Sequence, residues 1–413
     1  MEKKKIAIVG AGITGLVAGY RLLQQGHQVT IFEKEKELGG LLGSFKIEGE
    51  SLEMAYHHIF KTDKYIIDLI EELGLFSKLK WFDGSTAIYY RDKIWPFNGP
   101  LDLLKFGPLN IVDKVRLGLV KIYLEKENTW QKFENVSAYQ WMEKWCGKRA
   151  YEIIWEPLLK GKFANRYQDI SMAWLWARIH TRGNSNEKGG EKLGYLMGGF
   201  GQIINELKKR IKKLNGKIIL NHEFNPSKSP NDLGDFNKII SSAPLANVDY
   251  LGAVTAVFSS TQNLSKYYWH NINDTKSPFV TLIQHTNLVP STEYRGKHVY
   301  YLGTYLPQDH KYFKIDDKII FKENFTYLKK IFPEFDKKQI SEKKIFRFKT
   351  AQHIVTKKYK TPLGSAASPL DRGDKPKVIN VNFANIYPED RGINLAVREG
   401  EKSASYLDGL TSG

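Results

Sequence analysis

The chain has 413 residues, 42% hydrophobic, 13% aromatic and 26% charged, enough for roughly two to three domains at about 150 residues each. A single small module, a disordered chain and a collagenous one are excluded. Sixty-two Lys and Arg against 45 Asp and Glu leave a formal charge of +17, which favours anionic partners such as phosphate-bearing cofactors, nucleic acid or an acidic membrane face. In chain order, Lys5 to Val9 reads as a short buried strand, Gly10 to Gly15 as a tight turn, Leu16 to Gln25 as a helix and Gln28 to Phe32 as a second strand, a βαβ unit. From Asp63 to Arg182 the pattern is mainly helical, with Tyr65–Leu75, Ile111–Glu125, Ala138–Cys146 and Ala150–Trp155 as helices and a hairpin over Ala87–Trp95. A loop over Gly183–Gly190 leads to the glycine-rich Tyr195–Gly201. A helix follows whose apolar Ile203, Leu207, Ile211 and Leu214 leave the basic run Lys208–Lys213 as its solvated face. Lys217–Leu220 is a strand, Asn225–Asp235 a polar turn, and Lys238–Pro244 a strand ending at proline. Strands and turns follow, among them Phe279–His285 and His298–Tyr305, with one helix near Phe321–Ile331. Lys377–Ala384 is then a strand and Asn394–Leu407 a closing helix.

Cys146 is the only cysteine, so no internal disulfide and no multi-cysteine metal site can form; no metal is expected, and this usage suits a reducing cytoplasm. Lys3-Lys4-Lys5 before the uncharged Ile6–Tyr20 resembles a secretory leader, but its glycines fall where a nucleotide-binding turn needs them. No other uncharged stretch approaches the ~18 to 20 residues of a membrane span. The expectation is a soluble cytoplasmic protein, or one peripheral at the inner face of the membrane. No nucleic-acid-binding motif, Gly-x-Ser-x-Gly elbow or Walker-type loop is present, and no second GxGxxG that would mark a nicotinamide domain.

Gly10-Ala11-Gly12-Ile13-Thr14-Gly15 has the GxGxxG spacing. Its first glycine permits the turn, the second lets backbone approach a pyrophosphate and the third allows close helix–strand packing. The helix that follows points amide donors and a positive dipole at the phosphates. Eighteen residues past Gly15, at the end of the second strand, Glu33 can accept from the hydroxyls of an unphosphorylated ribose.

Six residues beyond Glu33 come Gly39-Gly40, within Glu33-Lys34-Glu35-Lys36-Glu37-Leu38-Gly39-Gly40-Leu41-Leu42-Gly43-Ser44. A dinucleotide fingerprint running into an acidic residue and then a Gly-Gly pair resembles the FAD-binding superfamily of amine oxidases, protoporphyrinogen oxidases, phytoene desaturases and UDP-galactopyranose mutases. The resemblance implies that Lys34, Gly39, Gly40 and Leu41 lie along the cofactor, with Leu41 standing where the common pattern has arginine. Tyr195–Gly201 is similar to the superfamily's second glycine-rich turn. Tyr387-Pro388-Glu389-Asp390-Arg391-Gly392-Ile393-Asn394 is similar to its C-terminal flavin-contact segment, with Asp390 or Asn385 available to the ribityl chain. Tyr56-His57-His58-Ile59-Phe60-Lys61-Thr62 resembles the His-Ile-Phe segment of the mutases. If that stretch is extended, His57 and His58 face opposite sides, and one of them could move protons near neutral pH.

The fold so implied is α/β: a Rossmann-like FAD-binding domain of glutathione reductase-like topology, assembled from residues 1–62, 188–250 and 375–413. A discontinuous, mixed α+β substrate domain takes 63–187 and 251–374. The activity implied is two-electron oxidation or desaturation of a small organic substrate by hydride transfer to FAD, with oxygen or a quinone as acceptor. A redox-neutral, reduced-flavin isomerase of a nucleotide sugar is the alternative, and it needs arginines converging on one pocket. A non-catalytic FAD-binding protein is a third reading.

Overall fold

The computed structural model describes residues 2–184, 186–187, 190–224, 236–361 and 377–405. The polar turn Asn225–Asp235, residues 185 and 188–189 of the expected loop and the last residues of the closing helix lie outside them. The βαβ start is β1 (Lys5–Val9), α1 (Ile13–Gln24) and β2 (Gln28–Phe32), followed by the hairpin β3 (Ser44–Ile47) and β4 (Glu50–Glu53) and the short β5 (Ile59–Phe60). Next come α2 (Lys64–Glu72), β6 (Leu79–Asp83), β7 (Thr86–Tyr90) and β8 (Lys93–Pro96). The helical stretch is α3 (Pro100–Lys105), α4 (Ile111–Lys126), α5 (Ala138–Cys146), the single turn α6 (Lys148–Ala150), α7 (Glu156–Phe163) and α8 (Met172–Asn184). Then follow β9 (Asn186–Glu187), β10 (Gly190–Leu196), α9 (Gly201–Lys213), β11 (Lys217–Ile219), β12 (Lys238–Ser241), β13 (Tyr250–Ser260), β14 (Trp269–Ile272), β15 (Thr281–Gln284) and β16 (His298–Pro307). The chain closes with α10 (Asp317–Ile331), β17 (Ile340–His353), β18 (Lys377–Asn380) and α11 (Ile393–Ser405).

Five strands form an all-parallel sheet in the order β11-β2-β1-β12-β18. The continuous apolar run Ile6–Val9 follows from that position, since a central parallel strand is covered on both faces. Helix α1 lies on this sheet, and α11 packs along α1 so closely that a Cβ on Gly400 would meet Thr14 O at 2.7 Å. A second sheet of seven strands, β17-β13-β16-β15-β14-β7-β8, joins strands from both pieces of the expected substrate domain. Strand β10, which runs into the glycine-rich stretch at Tyr195 and Leu196, pairs antiparallel with β5 and β6.

The expected helix Ala150–Trp155 is longer and irregular. Tyr151–Trp155 forms a π-helical turn, and α7 continues it to Phe163. Pro157 does not stop α7 because it sits in the first turn, where no backbone donor is required. Helix α8 falls inside the stretch read only as mainly helical, and it packs against α4 and α5 with Met172, Ala173, Trp174 and Leu175 fully buried.

Candidate active site

The glycine loop sits at the carboxyl end of β1. Gly10 holds φ +95°, and a Cβ there would come within 2.5 Å of Ser242 Oγ; one on Gly15 would come within 2.0 Å of Gly10 O. Both glycines are fixed by the protein's own packing. Gly12 differs: a Cβ there would meet nothing within 4 Å, so the fold itself leaves room for a side chain at that point. Helix α1 begins at Ile13 and Thr14 with no side-chain cap, leaving its first amides without the usual partner.

Two contacts brace this loop. Glu33 Oε2 accepts from Ala11 N at 2.7 Å and Oε1 from Glu35 N at 3.0 Å. Gly39 N donates to Ala11 O at 2.9 Å, and Gly39 forms a parallel bridge to Gly12. Gly39 and Gly40 both hold positive φ, which explains the pair. Leu41 is half-buried beside them, whereas Lys34 points outward beside Glu35. The glycine-rich 198–201 turn is held by a buried carboxylate that sequence reasoning missed. Glu53 accepts from Phe200 N at 2.5 Å and from Tyr195 Oη at 3.0 Å, and burial pushes it up to about 7.

The C-terminal segment brings Gly392 and the buried Ile393 to the start of α11. Asn394 Oδ1 accepts from Ile66 N at 3.1 Å, holding the first turn of α2. Asn385 Oδ1 accepts from Asn382 N at 2.9 Å and closes a capping box. Asp390 is the centre of a buried charge cluster. Lys162 Nζ lies 2.9 and 3.0 Å from its two oxygens, Trp174 Nε1 donates at 3.1 Å, and Arg178 donates to Oδ2. Arg391 donates from Nε to Gln352 Oε1 at 2.9 Å and from its η nitrogen to Tyr305 Oη at 2.7 Å. Burial opposes ionisation of Asp390, but Lys162, Arg178 and Arg391 hold it far below the usual carboxylate range. Burial brings Lys162 down to about 7 against the pull of Asp390, and brings Arg182, beside Arg178, down to about 10.

Of these cations, Lys162 and Arg178 line one wall of a small cleft of about 60 Å³. Tyr56, Trp269, Asn271 and Tyr305 share it with Lys162 and Arg178. Lys162, Arg178 and Arg182 were not among the expected site residues, although Trp174, Arg178 and Arg182 recur at four-residue steps on one helix face. His57 and His58 do diverge: His57 Nδ1 bonds Ala55 O at 2.7 Å, His58 Nδ1 bonds Tyr268 Oη at 3.1 Å. Burial lowers them to about 4 and about 3, so both are neutral at pH 7. His57 must donate from Nδ1 to its carbonyl, which leaves the lone pair on Nε2.

Residues 13–225 match the model of the family described as flavin containing amine oxidoreductase. The chain belongs to that family. It is 28% identical over 222 residues to coproporphyrinogen III oxidase of Staphylococcus aureus, a stretch covering 51% of this chain and 45% of that protein. It is 27% identical over 175 residues to the mitochondrial protoporphyrinogen oxidase of Nicotiana tabacum, covering 41% and 34%. The chain spans less than half the length of these curated relatives. Its fold is also that of reduced UDP-galactopyranose mutase, with a TM-score of 0.74 at 15% identity over 100% of this chain and 97% of that one. This family member is an oxidoreductase with FAD as its cofactor, and its residues fit that group: the open face of Gly12, the uncapped start of α1, and Glu33 at the end of β2 form a cradle a side chain would fill. Among the described residues no helix is long and apolar enough to cross a membrane.

Proposed function

We propose that this chain catalyses two-electron oxidation or desaturation of a small organic substrate bound in the Lys162–Arg178 cleft, by hydride transfer to FAD. The observation that carries the reading is the placement of that cleft. Its cations share Asp390 two residues before Gly392, and the turn at Gly392 opens α11, the segment expected to meet the flavin. FAD, when bound, supplies two-electron acceptance. The chain's own residues do the rest. Gly12 and the start of α1 receive the pyrophosphate and Glu33 the adenosine ribose. Gly39, Gly40 and Leu41 would flank the cofactor, whereas the outward-pointing Lys34 would not. The amides of Gly392 and Ile393 at the start of α11 would be available to the electron-rich end of the ring system, with Asn385 in the segment that precedes them.

Asp390 is saturated by cations, so the cleft has no free carboxylate to receive a protonated amine. Lys162, Arg178 and Arg391 would repel an amine and attract a carboxylate or phosphate. The substrate we favour is therefore an anion whose C–H bond is presented by Tyr56 and Trp269; His57, lowered to about 4 by burial, is too weak a base near neutral pH to be given the proton. Oxygen or a quinone would reoxidise the cofactor. The parallel sheet supports a Rossmann-like domain of glutathione reductase-like topology, which we take as residues 1–62, 188–250 and 375–413, the remainder forming the substrate domain.

The convergence of Arg178 and Arg391 also favours the second reading, a redox-neutral isomerase of a nucleotide sugar. One experiment separates them. The visible spectrum is recorded as purified, after dithionite reduction under nitrogen, and on opening to air. Bleaching of the oxidised flavin by a carboxylate- or phosphate-bearing substrate under nitrogen supports oxidation. Turnover of a nucleotide sugar by the reduced protein without bleaching supports the isomerase, and a protein that takes up no flavin ends both.

A further inference from the structure

Helix α4 is apolar on two faces, and only one is covered. Leu117, Val120 and Leu124 are buried against the helical core. On the other side Ile111, Val112, Val115, Leu119, Ile122 and Tyr123 fall on a single stripe at helical spacing, with Ile111 62% and Leu119 63% exposed. The stripe does not end with the helix. Lys114 Nζ bonds Leu104 O at 2.7 Å and so ties α3 alongside, adding Leu104 and Leu101, the latter 71% exposed. Arg116 donates to Trp145 O at 3.0 Å and to Lys144 O, bringing the exposed Trp145 to the same border. A contiguous apolar surface of this kind marks an interaction site.

The charge around it selects the partner. Between residues 100 and 149 seven charged side chains are exposed, and every one is Lys or Arg, from Lys105 to Arg149. The acidic residues of that stretch are buried or half-buried; Glu125 and Glu127 pair with Lys121 and Lys132. Lys105, Lys126, Lys144 and Arg149 carry no ion pair among the described residues. Long cationic stems can lie along apolar surface while their heads reach outward, and a single helix face edged by Lys, Tyr and Trp matches the boundary between lipid headgroup and acyl chain.

We propose that α3, α4 and the end of α5 form a docking surface for an anionic lipid bilayer, with α4 lying in the plane of the headgroups. Apolar side chains enter the acyl boundary, and the surrounding cations pair with lipid phosphates.

The test is co-sedimentation of the full-length flavin-loaded protein with vesicles of phosphatidylcholine alone or mixed with phosphatidylglycerol. The protein is expected to sediment with the mixed vesicles, less so in high salt. The double variant Leu119→Asp/Ile122→Asp is expected to lose about tenfold in bound fraction while keeping its flavin spectrum. A second measurement covers the case in which that variant fails to fold. Cys146 is buried and its thiol pushed up to about 12, so a polarity-sensitive dye directed to Leu119→Cys labels the face alone. Its emission should shift to the blue on mixed vesicles and not on neutral ones. Failure to sediment with either vesicle, undiminished sedimentation of the double variant, or an unshifted dye overturns the proposal. A dimer in solution that the double variant dissolves also overturns it, because the face then belongs to a second copy.

Discussion

Gly12 and Gly15 separate folding from cofactor binding. Gly12→Val places its side chain in open space, so the protein should melt as the parent does yet purify without flavin absorbance. Gly15→Val drives carbon into Gly10 O and should fail to yield folded protein, which circular dichroism would register. Glu53 supplies a pH test. Its folded value, about 7, lies above the ordinary one of 4.5, so the neutral form favours the fold. That contribution is present below about pH 4.5 and is lost as pH rises through 7, on the order of 3 kcal/mol for a fully buried group. Glu53→Gln should flatten the decline in melting temperature between pH 5 and 8, and an unchanged slope would sink this assignment. Lys162 reports through kinetics. It is cationic below about 7, so kcat/KM for an anionic substrate should fall as pH rises through neutrality. Lys162→Arg should remove that limb, because a guanidinium stays charged. Asp390→Asn would leave Lys162 and Arg178 uncompensated, at about 3–5 kcal/mol measured by denaturant unfolding.

Helix α8 shows what the sequence offered and what was not read from it. Met172–Arg182 is a dense apolar helix in which Trp174, Arg178 and Arg182 stand at successive four-residue steps, and cations repeating on one face of a buried helix must meet an anion or a cavity. Arg178→Met should raise KM roughly 10–100-fold with kcat less affected, the signature of lost ground-state binding. Strand β1 was legible to the residue because a central parallel strand is an unbroken apolar run, and β2 from its β-branched and aromatic Val29, Thr30, Ile31 and Phe32. Lys162 was hidden because α7 continues through a π-helical turn that no periodicity announces. The fourteen-residue β17 was also unread. Its Ser341, Glu342, Lys343, Lys344 and Lys349 are exposed on the outer edge of the seven-stranded sheet, where charge guards against edge pairing and masks the strand pattern. The glycine fingerprint was legible because its geometry is local. The Asp390 cluster draws on α7, α8 and the segment before α11, an arrangement that only the tertiary fold produces.

At the scale of the molecule, cofactor binding should stabilise the fold, since the glycine loop is closed by Gly39 and Glu33. Flavin at about 100 times its dissociation constant should add about 2.7 kcal/mol, seen as a higher melting temperature than that of the stripped protein. The order of strands in the parallel sheet carries a further consequence, for synthesis. β1 emerges first and pairs with β2 almost at once, but its other neighbour, β12, starts at Lys238, and the strand beyond that starts at Lys377. Helix α1 also packs against α9, but its contact with α11 waits for a helix that starts at Ile393. A growing chain therefore holds its most apolar segment half-sheltered while hundreds of residues are added, and non-local closure of this kind is slow and exposed to aggregation. Ribosome-bound chains arrested before Lys377 should be protease-sensitive at β1 and unable to retain flavin. The cradle should become a binding site only after α11 has been made.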